Sequence, residues 1–297
     1  YYATAYAGVL MKNSKGLYTN AIYGFANMIN SLVEQEHDNM FIAFDKGSKT
    51  FRHQSFADYK ATRKKLPEEL AMQIPLIKQF LRILKITQYE TDEYEADDLI
   101  ATLAKDAYNH FDQIQVITGD KDLLQLVNDK TIVSLTKKGI QELDDYTIDN
   151  FFEKMGIKPS QIPDYKGLVG DSSDNLPGIK GIGDKTAIKL LTTYPTLEEI
   201  IENVDSITGR TAALIKEYQE MGLQCKRLAT LQQDVTVEFH LTDTKKEEYD
   251  LDELKQFYMD MDFNSFLTKL DKKKQAKKEQ KQIEYKFVTE AKDIQDM

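Results

Sequence analysis

Short apolar runs and helical stretches alternate along the first half of this chain, and that alternation leaves few folds open. The runs "NMFIAF" (39–44), "ITQYE" (86–90), "QIQVIT" (113–118) and "TIVSL" (131–135) have strand length. Between them the apolar residues recur at helical spacing. This predicts a helix over 19–34, built on Ile22, Phe25, Ala26, Ile29, Leu32 and Val33. A second, over 67–85, starts at Pro67-Glu68-Glu69 and has to accommodate Pro75. A third covers 94–111 with acids in its first turn, and "DKDLLQLV" forms a short one. Strands that alternate with helices predict an α/β domain with a largely parallel sheet covered on both faces. Beyond about Thr147 the pattern is wholly helical, with turns at 156–159, 178–183 and Gly209. The expected organisation is an α/β core over 1–150 and a helical region over 151–270.

At 297 residues the chain has room for one large or two modest domains, and 41% hydrophobic residues suffice for a core. No apolar run approaches the roughly 18–20 residues that cross a membrane. Without a secretory signal, and with a single cysteine, Cys225, the chain reads as cytoplasmic and without a disulfide framework. Four histidines and one cysteine do not make a usual zinc site, so any metal is expected on oxygen ligands. The start at Tyr1 reads as a fragment, "DKKKQAKKEQKQ" and its neighbours (271–283) as a charged linker, and 284–297 as the opening of a further domain.

Net charge is −10, which by itself disfavours nucleic acid, yet the distribution is uneven. From Lys46 to Lys65 the basic residues Lys46, Lys49, Arg52, Lys60, Arg63, Lys64 and Lys65 face one acid, Asp58, with Phe51, Phe56 and Tyr59 interleaved. A basic run is usually a solvated face; inside an acidic chain it is less easily dismissed.

Acids recur where strands end. Asp45 follows the first strand, Glu95, Asp97 and Asp98 the second, and Asp120 and Asp122 the third. Asp171 and Asp174 stand in "GDSSDNLPGIKGIGDKT" (170–186). Any one of them could simply cap the next helix, a contribution of a few tenths to ~1 kcal/mol. Together they would repel one another unless cations neutralised them. Ligation by oxygen alone suits Mg²⁺ or Mn²⁺, and the number of acids suits two ions, the arrangement that cleaves phosphodiesters. Ligands of open α/β sheets bind at these strand ends. The glycine-rich hairpin differs from the nucleotide-binding P-loop because Asp184 separates Gly183 from Lys185. Its glycines Gly178, Gly181 and Gly183 would offer backbone N–H groups to a DNA phosphate, with Lys180 and Lys185 adding charge. Such a contact positions DNA without reading sequence.

Four stretches, "FDKGSKTFRHQSFADYKATRKKLPEEL", "YEADDLIATLAK", "VITGDKDLLQLV" and "GLVGDSSDNLPGIKGIGDKTAIKLL", resemble the 5′-nuclease domain of bacterial DNA polymerase I, a family that includes flap endonucleases. The likeness spans about 1–270. It implies a PIN-like α/β core with a basic arch (about 46–85) and a helix–three-turn–helix DNA-binding region. One metal site would take Asp45, Glu95 and Asp97 with Asp98 as a further ligand, and the other Asp120, Asp122, Asp171 and Asp174. Lys60 and Arg63 would meet the scissile phosphate; Arg52 and the hairpin residues Gly178, Lys180, Gly181, Gly183 and Lys185 would contact DNA, with a K⁺ at the hairpin. The implied activity is 5′-3′ exonuclease and 5′-flap cleavage at flaps, nicks and primer junctions, including RNA primers. The implied protein is a monomer with polymerase domains following in the same chain. An Asp-Gly pair of the family's first strand is absent from this sequence. A stand-alone flap endonuclease and a non-catalytic DNA-binding module are the alternatives; the segment after Lys281 weighs against the first and the intact acids against the second.

Overall fold

The computed structural model describes residues 10–47, 50–63, 65–137, 142–236, 238 and 240–272. Most of the expected linker, and all of the expected further domain (284–297), lie outside the described residues. The chain divides into two compact units. One comprises Tyr1–Met40, Leu66–Thr87 and Thr244–Met297, the other Phe41–Lys65 and Gln88–Asp243.

In the first unit the periodic segment at 19–34 is a helix, Asn20–Val33, burying Ile22, Phe25, Ala26 and Ile29. The single helix expected over 67–85 is two, Glu68–Ala71 and Ile74–Ile83. Pro75 is the reason: it stands in the first turn of the second helix, where its missing N–H costs nothing. Gln73, at the break, is buried and its Oε1 accepts from Ala21 N (2.8 Å) and Ile22 N (3.1 Å). It thereby satisfies donors at the start of the Asn20–Val33 helix that have no partner within that helix.

The second unit carries the sheets, apart from Thr87 at the start of one strand. Strands β1 (Phe41–Ala43) and β2 (Thr87–Tyr89) lie side by side. Strands β3 (Ile114–Thr118), β4 (Thr131–Thr136) and β5 (Leu143–Tyr146) form a second sheet in that order. β3 and β4 are parallel, Val116 opposite Val133, whereas β5 returns antiparallel with Tyr146 opposite Val133. β5 was not expected: "LDDY" has only two apolar residues to announce it.

Past Thr147 the described structure is helical. Thr147 caps Ile148–Met155, accepting from Asn150 N, and Gly156 ends it in the left-handed conformation. The Ile162–Val169 and Arg210–Ala229 helices pack closely because Gly167 faces the backbone of Gly222; a Cβ on Gly167 would stand 2.9 Å from Gly222 O. One core joins strand and helix residues: Val116, Leu123, Val133 and Leu135 are buried with Phe151, Leu168, Ile179, Leu197 and Ile215. Among the described residues no helix is long and apolar enough to cross a membrane.

Candidate active site

Every acid singled out by the sequence lies in the second unit. Several of them also satisfy donors at helix starts, Glu95 and Asp98 through a capping box. Asp45 Oδ1 accepts from Ala96 N (2.8 Å), the first residue of the Ala96–Ala107 helix. Asp120 Oδ1 accepts from Asp122 N (3.0 Å) at the start of a short 3₁₀ helix, Lys121–Leu126. Capping and clustering are thus compatible, since both follow from helices starting at the strand ends.

The electrostatics record the clustering. Burial pushes the Asp97 carboxyl up to about 7, and the charges of Asp120, Asp45 and Glu95 raise it against the pull of Lys60. Burial likewise raises Asp120, with Asp174 and Asp171 adding repulsion that Lys166 and Lys60 oppose. Asp171 goes the other way. Burial alone would raise it, but Lys166 and Ser173 hold it at about 2.

Basic side chains answer most of the acids. Lys60 Nζ donates to Glu95 Oε1 (2.8 Å) and stands 4.0 Å from Asp174 Oδ2. Arg63 Nη2 donates to Asp174 Oδ1 (2.7 Å). Lys166, on the Ile162–Val169 helix, contacts Asp122 and donates to Asp171 Oδ2 (2.5 Å). Tyr59 OH lies 3.1 Å from Glu95 Oε2 and 3.0 Å from Asp174 Oδ2. Burial and those two carboxylates raise the phenol and keep it protonated. Lys60 has φ 54°, a conformation side chains other than glycine rarely adopt. It is held there by its N–H, which donates to Asp174 O (2.9 Å). Two turns of chain set Asp171 and Asp174: Asp171 and Leu176 exchange N–H···O bonds of 2.7 Å each, and Gly170 packs directly against Gly178.

Three expectations are corrected. Arg52 does not reach DNA: it is 2% exposed, its Nη atoms bind Asp98 at 2.5 and 2.7 Å, and Nε donates to Leu228 O (2.8 Å). Burial opposes its charge, but Asp98 and Glu95 outweigh that and raise the guanidinium above its ordinary value. Asp98 is therefore committed to Arg52 and to Gln232 N (2.9 Å) and does not stand as a ligand. Gly178 does not face outward either. It is buried, and its N–H points to Cys225 Sγ (3.4 Å). Lys180, Gly181, Gly183 and Lys185 are exposed beside the start of the Asp184–Thr193 helix. Tyr59 and Lys166 were not expected in the site. Tyr59 had a signal in the "DYK" that precedes Arg63; Lys166 had none beyond standing five residues before Asp171.

Among the described residues no three potential ligands converge as they stand on one point that could hold a cation. The donor set nevertheless fits a hard divalent ion: carboxylates only, without histidine or cysteine, mutually repelling at Asp97 and Asp120. The oxygens point instead to Lys60, Arg63 and Lys166.

Carboxylates gather at the ends of α/β strands, met by Lys60 and Arg63 from one adjoining segment and by Lys166 from the Ile162–Val169 helix. Residues 1–156 match the 5′-3′ exonuclease N-terminal resolvase-like domain, and 157–252 the 5′-3′ exonuclease C-terminal SAM fold. The chain belongs to the 5′-3′ exonuclease family. It is 41% identical to DNA polymerase I of Bacillus subtilis over 271 residues, 91% of this chain and 31% of that protein. It is 44% identical to DNA polymerase I of Lactococcus lactis over 266 residues, 87% of this chain and 30% of that protein. The chain thus spans about a third of the length of these curated relatives. The fold is that of bacteriophage T5 5′-exonuclease with bound zinc (TM-score 0.59, 20% identity, 72% of this chain and 81% of that one). It is also that of the catalytic core of Rad2 in complex with DNA substrate (TM-score 0.59, 17% identity, 88% and 84%).

Proposed function

We propose that this domain hydrolyses phosphodiester bonds near 5′ ends at flaps, nicks and primer junctions, in DNA and in RNA primers. We read it as the nuclease part of a DNA polymerase I that acts in the cytoplasm as a monomer. The observation that carries the reading is the placement of Lys60 and Arg63 on the acid cluster, each bound to an acid assigned to the metal sites. These cations neutralise Glu95 and Asp174. A DNA phosphate would offer them another anion, so the same side chains can hold and orient the scissile group. Tyr59, protonated and buried, keeps Glu95 and Asp174 at a fixed separation. Asp45, Glu95 and Asp97 on one side, and Asp120, Asp122, Asp171 and Asp174 on the other, would hold two Mg²⁺ or Mn²⁺ ions. Such ions activate water and stabilise the leaving oxygen. The exposed hairpin residues Lys180, Gly181, Gly183 and Lys185, with a K⁺, would grip the downstream duplex by its phosphates.

The domain boundaries follow the same reading: a nuclease core over 1–150 with its arch, and a DNA-binding helical region over 151–270. The family-model boundary between residues 156 and 157 supports that division. The test is cleavage of an end-labelled 5′-flap duplex by this domain. Mg²⁺ should be required, and Asp122→Ala should abolish turnover while leaving DNA binding. Full activity in EDTA, or unchanged turnover in that variant, would overturn the two-ion reading.

A further inference from the structure

Lys166 stands apart from the other cations of the site. Lys60 and Arg63 come from the basic segment, which has DNA phosphates to meet. Lys166 comes from the Ile162–Val169 helix, whose path is fixed by the close approach of Gly167 to Gly222 one residue further on. Its side chain is about one-tenth exposed. Its ammonium reaches two acids at once, Asp122 from the 3₁₀ helix after β3 and Asp171 from the turn before the hairpin. Those two acids arrive from different parts of the chain and, among the described residues, share no other cation. Asp171 is further tied by Ser173 N (2.8 Å) and Ser173 Oγ (2.6 Å), so the acid is fixed and the lysine is the movable partner.

We infer that Lys166 is a positioning residue that occupies, between Asp122 and Asp171, the place a divalent cation takes, and that it competes with that cation for both carboxylates. The inference rests on the metal-dependent reading above. An ammonium donates into the same oxygen lone pairs that a hard cation uses, so the two occupants exclude each other. A buried pair of carboxylates without any cation is costly, which gives the lysine a stabilising role when metal is absent. The lysine would thus keep the cluster folded in the metal-free protein and set how much metal is needed to load it.

The experiment measures Mn²⁺ directly. Titration calorimetry of the protein, Lys166→Met and Lys166→Arg, in the absence of DNA, should show Mn²⁺ binding at least tenfold tighter in Lys166→Met. Lys166→Arg should stay near the parent affinity. In EDTA, Lys166→Met should melt at a lower temperature than the parent. If Lys166→Met does not fold, the unaltered protein answers the question: reductive methylation followed by mass spectrometry should label Lys166 faster with saturating Mn²⁺ than in EDTA. Equal or weaker Mn²⁺ affinity in a folded Lys166→Met, or labelling that Mn²⁺ leaves unchanged, overturns the inference while metal-dependent cleavage stands. If neither the parent nor Lys166→Met binds Mn²⁺ and cleavage survives EDTA, the metal reading falls and this inference with it.

Discussion

At Asp97 the physics of a single carboxylate sets both stability and function. Burial and three neighbouring acids lift it to about 7, so the charged form is disfavoured in the folded, metal-free protein. Removing that charge should therefore stabilise the protein as it destroys the site. Asp97→Asn should melt at a higher temperature than the parent at pH 8 in EDTA. A tenfold change in proton affinity is worth about 1.4 kcal/mol, so a gain on the order of 1–3 kcal/mol is expected once partial exposure is allowed for. Saturating Mg²⁺ should stabilise the parent more than the variant and so shrink or reverse the difference. Thermal melts of both proteins in EDTA and in Mg²⁺ check this; a variant less stable than the parent in EDTA would show that Asp97 is not strained by its neighbours. The acids were legible in the sequence because strand ends are where α/β folds collect ligands. Their partners were not. Arg52 and Arg63 look alike in a basic run, yet one is buried against Asp98 and the other is half exposed on Asp174. That difference is made by the Arg210–Ala229 helix, whose Leu228 O captures Arg52 from 176 residues away.

The hairpin shows the same limit at the level of an element. Its glycines were read as one phosphate-facing set, but they divide by what surrounds them. A Cβ on Gly178 would lie 2.2 Å from Gly170 N, and its φ of 62° adds strain for any side chain. A Cβ on Gly183 would meet nothing within 4 Å. Gly178→Ala should therefore cost about 3 kcal/mol or more, from backbone overlap and the left-handed conformation together. Gly183→Ala should cost only about 1 kcal/mol or less, through the N-cap of the Asp184–Thr193 helix, and, on the proposed reading, weaken duplex binding. Denaturant melts and a duplex-binding titration on both variants separate the two roles; a Gly178→Ala protein as stable as the parent would refute the backbone-to-backbone packing. Helices and strands with clear periodicity were legible to within a few residues, as at Asn20–Val33 and Ile114–Thr118. β5 was not, because "LDDY" is held by its pairing to β4 rather than by its own pattern.

The family models divide the chain between residues 156 and 157, whereas the buried core does not. Val116, Leu123, Val133 and Leu135 precede that boundary; Ile162, Leu168, Ile179, Leu197 and Ile215 follow it, all in one cluster. Polar ties cross it as well, with Lys166 on Asp122, Arg63 on Asp174 and Arg52 on Leu228 O. Burying an aliphatic side chain is worth about 1.5–3 kcal/mol, while a whole domain is stable by only about 5–15 kcal/mol. Cutting the chain at the boundary would expose several such side chains on both pieces, enough to exhaust the stability of either. A fragment of residues 157–252 should accordingly show helical circular dichroism without a cooperative thermal transition and without dispersed amide resonances. Adding back residues 1–156 in trans should restore some of the transition if the pieces associate through the shared core. A fragment that melts cooperatively near the temperature of the intact chain would show that the helical region supplies its own core, and the acid cluster would then be assembled between two independently stable parts.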